Sequence, residues 1–176
     1  GIVFGDGTRL AKGSAVALHG EKDAELLKWF PHNPVRTSER ENGQYYAHVV
    51  DMPAYFKSDL PDPDESASYL YGWLAGYFAA DGCVDTDGTV ILNSAHREHL
   101  EFVRELCNRL GIGTYGIREQ VRLGIDGRES SLFVMRFMSS TLREDFFLID
   151  RHLRRFAGSR KKYERRRWQV RRVEAT

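Results

Sequence analysis

Leu74-Ala75-Gly76-Tyr77-Phe78-Ala79-Ala80-Asp81-Gly82 is an apolar run closed by one acid and a glycine. A shorter version of the same phrase heads the chain as Gly1-Ile2-Val3-Phe4-Gly5-Asp6-Gly7. Read as helices, these segments put Gly1 and Gly5 one turn apart and Gly72, Gly76 and Ala80 along one stripe, so the two helices can approach backbone to backbone. Their closing aspartates then meet. A carboxylate in a last helical turn faces the negative end of the helix dipole, and two of them side by side repel, so stability does not account for the pair. A divalent cation held between them does.

Working outward, each motif is succeeded by a similar order of elements. After Asp6-Gly7, Thr8 to Leu10 and Ser14 to His19 read as strands turning at Lys12-Gly13. Ala24 to Phe30 reads as a helix stopped by Pro31, and Val35 to Arg40 with Gln44 to Asp51 as a hairpin about Asn42-Gly43. Met52 to Phe56 is a short closing helix. After Asp81-Gly82, Cys83 to Asp85 and Thr89 to Asn93 flank Asp87-Gly88, His96 to Leu110 has helical spacing, and Tyr115 to Leu123 with Ser131 to Met138 make a hairpin across Asp126-Gly127. Leu142 to Phe156 reads as one closing helix with Phe146, Ile149, Leu153 and Phe156 on a face. The duplication, with a period of about 75 residues from Asp6 to Asp81, rests on element order and motif position.

The expected divisions are a first repeat over 1–58, an acidic proline-containing linker over 59–66, a second repeat over 67–157 and a basic segment over 158–176. Ser66 or Ser68 is the expected cap of the second motif helix. The first motif has nothing upstream of Gly1 and is too short to stand as a helix alone, so a missing turn is expected from a preceding segment.

Composition limits the classes open to the chain. With 176 residues, 41% of them hydrophobic and 29% charged, it can bury a core as one domain or two small halves. There is no run of 18 apolar residues and no leader-like start, so no membrane partner is expected and a cytoplasmic location is. Cys83 and Cys107 read as buried thiols rather than a disulfide or zinc framework. The net charge of +1 conceals an uneven distribution: residues 151–176 hold eleven Lys or Arg against Glu164 and Glu174, whereas Asp59, Asp62, Asp64 and Glu65 concentrate acid in the linker. This implies a basic surface able to meet nucleic acid, although a solvated terminal helix would have the same composition.

The nine residues from Leu74 to Gly82 resemble the signature of the LAGLIDADG homing endonucleases, and Gly1 to Gly7 resembles the second half of a degenerate first copy. Ala79 stands where that signature has its first acid. The ending Arg167-Trp168-Gln169-Val170-Arg171-Arg172-Val173-Glu174 is similar to the segment where an intein returns from its endonuclease to its splicing domain. The resemblance implies an α/β (α+β) fold of two pseudo-symmetric αββαββα repeats. Their motif helices form the central interface and their antiparallel sheets a saddle over DNA.

It further implies a monomeric, site-specific, double-strand endonuclease cutting a long asymmetric target across the minor groove to leave 3′ overhangs. The implied cofactor is Mg²⁺, with Mn²⁺ or Ca²⁺ able to occupy the site, and Asp6, Asp81 and the carbonyls of Gly5 and Ala80 are the implied ligands. Implied catalytic partners are Lys57, its counterpart Lys161 or Lys162, and His19. Lysines after a helix also serve as dipole partners, and a lone histidine also serves structurally, so both roles stay open here. Candidate base readers on the sheets are Arg9, Lys12, Arg36, Arg40, Gln44, Arg118, Gln120, Arg122 and Arg136, since Arg and Gln pair bidentately with guanine and adenine. Any of them could instead alternate outward on a solvated strand. Arg160, Lys161, Lys162 and the arginines at 165–167 are expected to contact phosphates.

The covalent partner implied by the ending is a splicing domain. The chain itself starts without a splicing nucleophile and ends without the required asparagine, so it is not expected to splice. A catalytically inactive DNA-binding module and an RNA maturase are the alternatives that keep this fold.

Overall fold

A computed structural model describes residues 1–39, 45–123 and 129–160. Eight strands form two four-stranded antiparallel sheets. In the first repeat α1 (Ile2–Asp6) leads into β1 (Gly7–Leu10) and β2 (Gly13–His19). Then come α2 (Gly20–Ala24), β3 (Val35–Glu39), β4 (Tyr45–Met52) and α3 (Tyr55–Ser58). The second repeat has α4 (Ala67–Asp81), β5 (Gly82–Val84), β6 (Val90–Ser94), α5 (Arg97–Arg109), β7 (Arg118–Leu123), β8 (Glu129–Arg136) and α6 (Asp150–Arg160). The sheet orders β1-β2-β4-β3 and β5-β6-β8-β7 are the same order written twice, as the duplicated motif predicted.

α4 is the central rod. Ser66 caps it by accepting a 3.3 Å hydrogen bond from the Tyr69 amide. Trp73 to Ala79 are all buried, so this helix has no solvent stripe through its second half. Each motif helix also lends a residue to the other repeat. Phe4 of α1 packs in the core of the second repeat, and Ala79 of α4 packs in that of the first with Val16, Leu18, Ala47 and Val49. Phe4 is held there by Trp73 and Tyr77, with ring centroids at 5.3 and 5.0 Å. The two cores therefore interlock through the helix pair, and neither half buries its apolar surface without the other.

Alternation along the strands sorts their faces. Val16 and Leu18 of β2 stand opposite Val49 and Ala47 on the core side of the first sheet; Val90, Leu92 and Met135 line the core side of the second. A bulge shifts the β2–β4 register between Ser14 and Val16, where Asp51 takes φ 60. The Ser14 hydroxyl donates to Pro53 O at 2.7 Å, fixing the exit of β4 toward α3.

Several element boundaries depart from the sequence expectations. The helix expected over Ala24–Phe30 is α2 followed by a 3₁₀ turn over Glu25–Trp29. β4 runs through Met52, so the closing helix starts at Tyr55. The strand expected from Tyr115 begins at Arg118, preceded by a single bridge between Thr114 and Phe137. The single helix expected over Leu142–Phe156 is two 3₁₀ turns, Ser139–Thr141 and Glu144–Phe146, and then α6. Phe146, Phe147 and Ile149 are all buried, with Leu148 packed against both cores, and four consecutive inward residues do not fit one helical stripe. The turns expected at Asn42-Gly43 and Asp126-Gly127 lie outside the described residues. Among the described residues no helix is long and apolar enough to cross a membrane.

Candidate metal and nucleic-acid site

The site begins with absent side chains. A Cβ on Gly1 would stand 1.8 Å from Trp73 O, one on Gly5 2.4 Å from the Ala80 Cβ, and one on Gly76 2.9 Å from the Ile2 amide nitrogen. No such atoms fit, so α1 and α4 touch backbone to backbone only because these positions are glycine. Gly72 was expected in the same stripe. It is exposed, with nothing within 4 Å of its Cβ position.

This contact brings the two helix ends together. The Cβ position of Gly5 lies 3.1 Å from Asp81 Oδ2, which places the Asp81 carboxylate beside the last turn of α1. Burial raises the Asp81 carboxyl from its ordinary 3.8 to about 6, the nearby charge of Asp6 adds to the rise, and Lys57 opposes it. Asp81 is thus half-buried beside an exposed Asp6 whose charge repels its own.

Lys57 comes from α3, at the far end of the first repeat. Its ammonium donates to Phe4 O and to Gly5 O, each at 2.8 Å. These carbonyls belong to the last turn of α1, which has no intrahelical donors left for them.

Asp81 lines a cleft of about 440 Å³ walled by both repeats, with Lys57 and Ser58 from the first and Asn93 to His96, His99 and Leu132 from the second. The His96 and His99 rings are 4.8 Å apart, and His99 also packs on Phe4 at 4.9 Å. Burial lowers the His99 pKa, as do the His96 and Lys57 charges, while Glu98 acts the other way. Tyr77 is pushed up to about 12, chiefly by burial and further by Asp81, against a hydrogen bond with Ser94 that lowers it. Asn93, Ser94, His96 and His99 were not singled out from the sequence. For Asn93, Ser94 and His96 the signal is positional, since they come at the end of β6 as His19 comes at the end of β2, whereas His99 lies in the first turn of α5.

The remaining candidates are spread over the two sheets and their edges. His19 is exposed, its ring 5.0 Å from that of Tyr46 and its amide bonded to Asp23. It lies three residues beyond Val16, the partner of Gly7, hence about 10 Å along the strand from the helix end. Arg118, Gln120, Arg122 and Arg136 stand opposite Val134, Leu132, Ser130 and Ile91, so all four share the open face of the second sheet, away from α5. Arg36 stands opposite His48 on the open face of the first sheet. Arg9 is paired with Ser14 and falls on the other side of that sheet, exposed because β1 is an edge strand. Lys12 is exposed in the β1–β2 turn. Arg160 closes α6. Arg40, Gln44, Lys161 and Lys162 lie outside the described residues, as does the basic segment after residue 160. Cys107 is buried, whereas Cys83 is only partly so.

The donor set suits a hard divalent ion. Two carboxylates and helix-end carbonyls are oxygen ligands, and a cation between the acids would offset both the burial of the Asp81 charge and its repulsion by Asp6. Among the described residues no group of three or more His, Cys, Asp or Glu gathers, so a bound ion would complete its shell with carbonyls, water or substrate oxygens.

Comparison with known proteins places this architecture. Residues 68–144 match the LAGLIDADG-like domain, and the chain has the LAGLIDADG fold, two antiparallel sheets joined by paired motif helices. Among solved structures it is similar to the N-terminal LAGLIDADG domain of DUF199/WhiA, with 14% identity, TM-score 0.53 and coverage of 88% of this chain and 76% of that one. It is also similar to full-length DUF199/WhiA from Thermatoga maritima, at 16% identity and TM-score 0.52, covering 96% of this chain and 59% of that one. A third similar structure is I-DmoI in complex with DNA and Ca, at 13% identity, TM-score 0.48 and 78% of each chain. At such identities these likenesses concern the fold. No curated protein matches the chain in sequence.

Proposed function

We propose that this chain is a monomeric, site-specific endonuclease that hydrolyses both strands of a long DNA target with Mg²⁺, and that it acts in the cytoplasm as the homing domain of an intein. The observation that carries the reading is the placement of Asp6 and Asp81 at touching helix ends, one from each repeat. Two backbones are brought into contact to hold like charges together, an arrangement that favours a cation and not the fold.

Asp6 and Asp81, with Gly5 O and Ala80 O, would hold the ion. When bound it would supply an activated water and neutralise charge on the phosphoryl oxygens. The protein's own residues do the rest. The open faces of the two sheets present Arg36 to one half of the duplex and Arg118, Gln120, Arg122 and Arg136 to the other, setting register by base contacts. The shared cleft puts Lys57, His96 and His99 within reach of a phosphate seated over Asp81, where a neutral His99 can accept a proton from water. Water gives its proton to His99 as it attacks phosphorus, and the bond to the 3′ oxygen breaks; that oxygen takes a proton from solvent, leaving a 5′-phosphate and a 3′-hydroxyl.

A second reading, a DNA-binding module without cleavage, is favoured by one contact. Lys57 places its ammonium on Gly5 O, an oxygen that the nuclease reading needs for the metal. One experiment separates the two. The chain is incubated with a randomised duplex library and Mg²⁺ beside Asp6→Asn and Asp81→Asn, and both cut and retained DNA are sequenced. Cutting that is lost in both variants supports the nuclease. Retention of defined sequences without any cutting supports the binding module, and cutting that persists in both variants removes the assigned acids.

A further inference from the structure

Lys57 is bonded to the end of the first motif helix, and it reaches there from 52 residues away in sequence. The last carbonyls of a helix carry the negative end of its dipole and have no partner within the helix. Here they are succeeded at once by Asp6 and neighboured by Asp81. An ammonium set 2.8 Å from both Phe4 O and Gly5 O satisfies those oxygens and answers the charge of the acids. α3, which carries it, is only four residues long, and the bulged end of β4 and the Ser14–Pro53 hydrogen bond fix where it starts. The lysine stem is partly buried in the cleft wall, so its head is directed to this place rather than left in solvent.

We infer that Lys57 is a resident counter-cation of the acidic junction: it holds the helix ends together without metal and must leave Gly5 O before a divalent ion can be coordinated there. Two cations cannot share that oxygen at bonding distance without strong repulsion. Lys57 is on this account a positioning residue, set in competition with the metal. Once displaced it can swing into the adjoining cleft, where the scissile phosphate would sit. The two events are then linked, because the ion's arrival delivers a positive charge to the substrate side. This rests on the metal site of the nuclease reading.

The test titrates the full chain with Mn²⁺ alone, in the absence of DNA, by isothermal titration calorimetry. Lys57→Met is expected to bind Mn²⁺ roughly tenfold tighter than the wild type, the change that removal of one neighbouring like charge produces. Its melting temperature in EDTA should fall, and Mn²⁺ should restore it. Lys57→Arg, which keeps the charge, should remain near the wild-type affinity. Equal or weaker Mn²⁺ binding by Lys57→Met overturns the inference. Asp81→Asn separates the two ideas: if it binds Mn²⁺ as well as the wild type does, the metal assignment falls, and this inference falls with it. Should Lys57→Met fail to fold with or without Mn²⁺, the wild type decides. The Lys57 side-chain NMR resonances, assigned by comparison with Lys57→Arg, must shift on Mg²⁺ titration along the same isotherm as metal binding. Resonances that do not move refute the displacement.

Discussion

Gly72 and Gly76 are one turn apart on α4, and the same substitution at each tests the helix contact directly. Replacing either by alanine favours the helix by about 1 kcal/mol, since glycine has the larger backbone entropy to lose. At position 72 nothing else changes, because no atom lies within 4 Å of the new Cβ. At position 76 the methyl meets the Ile2 nitrogen at 2.9 Å and both Gly1 Cα and Ile2 Cγ1 at 3.3 Å. The first of these is backbone, so relief requires α1 to move as a unit, and overpacking of this kind costs about 1–3 kcal/mol. Helix propensity cancels between the two variants. Gly76→Ala should therefore be less stable than Gly72→Ala by about 1–3 kcal/mol, or roughly 2–12 °C in melting temperature for a chain of this length. Urea unfolding followed by tryptophan fluorescence gives the difference, with Gly72→Ala at or above the wild type. Because the shift in α1 also separates Asp6 from Asp81, Gly76→Ala should show a smaller Mg²⁺-induced rise in melting temperature. Equal stabilities, or an unchanged Mg²⁺ response in Gly76→Ala, would mean that the helices do not meet as described.

Asp81 makes stability depend on pH. Its folded pKa of about 6 lies above the ordinary 3.8, so its favourable contribution is complete below about pH 4 and is lost as pH rises through 6. The partial exposure of the carboxylate reduces the penalty above pH 6 to roughly 1–2 kcal/mol. In metal-free buffer Asp81→Asn should exceed the wild type by about that much at pH 8 and match it near pH 4; a difference that does not change with pH refutes the electrostatic account. For the same reason Mg²⁺ binding to the wild type should weaken below pH 6, as protons compete for Asp81, and calorimetry at pH 5.5 and 7.5 would reveal it. His99→Gln should slow cutting of a selected target at least roughly tenfold while leaving DNA retention unchanged, since none of the candidate base readers lines the cleft that holds His99. Arg118→Ala and Gln120→Ala should each cost about 1–3 kcal/mol at particular base pairs, whereas Arg9→Ala, on the opposite side of its sheet, should leave base preference unaltered. Binding measured against single-base variants of the selected target distinguishes these cases.

Local chemistry in the sequence determined the helices, the hairpin order and the twofold repetition. Glycines spaced by a turn permit a close approach, and an acid at a helix end is unfavourable there unless something else offsets it. Those two arguments reached Asp6 and Asp81 without coordinates, and period-two alternation put Arg118, Gln120 and Arg122 together on one strand face. The segment beyond Met138 was not legible, because the apolar spacing from Leu142 to Phe156 suits a helix equally well, and the burial of Phe146 through Ile149 is settled by two cores that exist only after folding.

Which glycines matter was also a tertiary decision. Gly72 and Gly76 share one helical stripe, and only the packing of Gly1 and Ile2 against Gly76 tells their surroundings apart. The cleft had still less to announce it, since Lys57 and His99 belong to different repeats and nothing local relates them. The sequence by itself thus determined that two acids would end two packed helices. The tertiary structure decided that the Lys57 ammonium meets the end of the first of them, because that depends on where a four-residue helix at the close of the first repeat directs one flexible side chain.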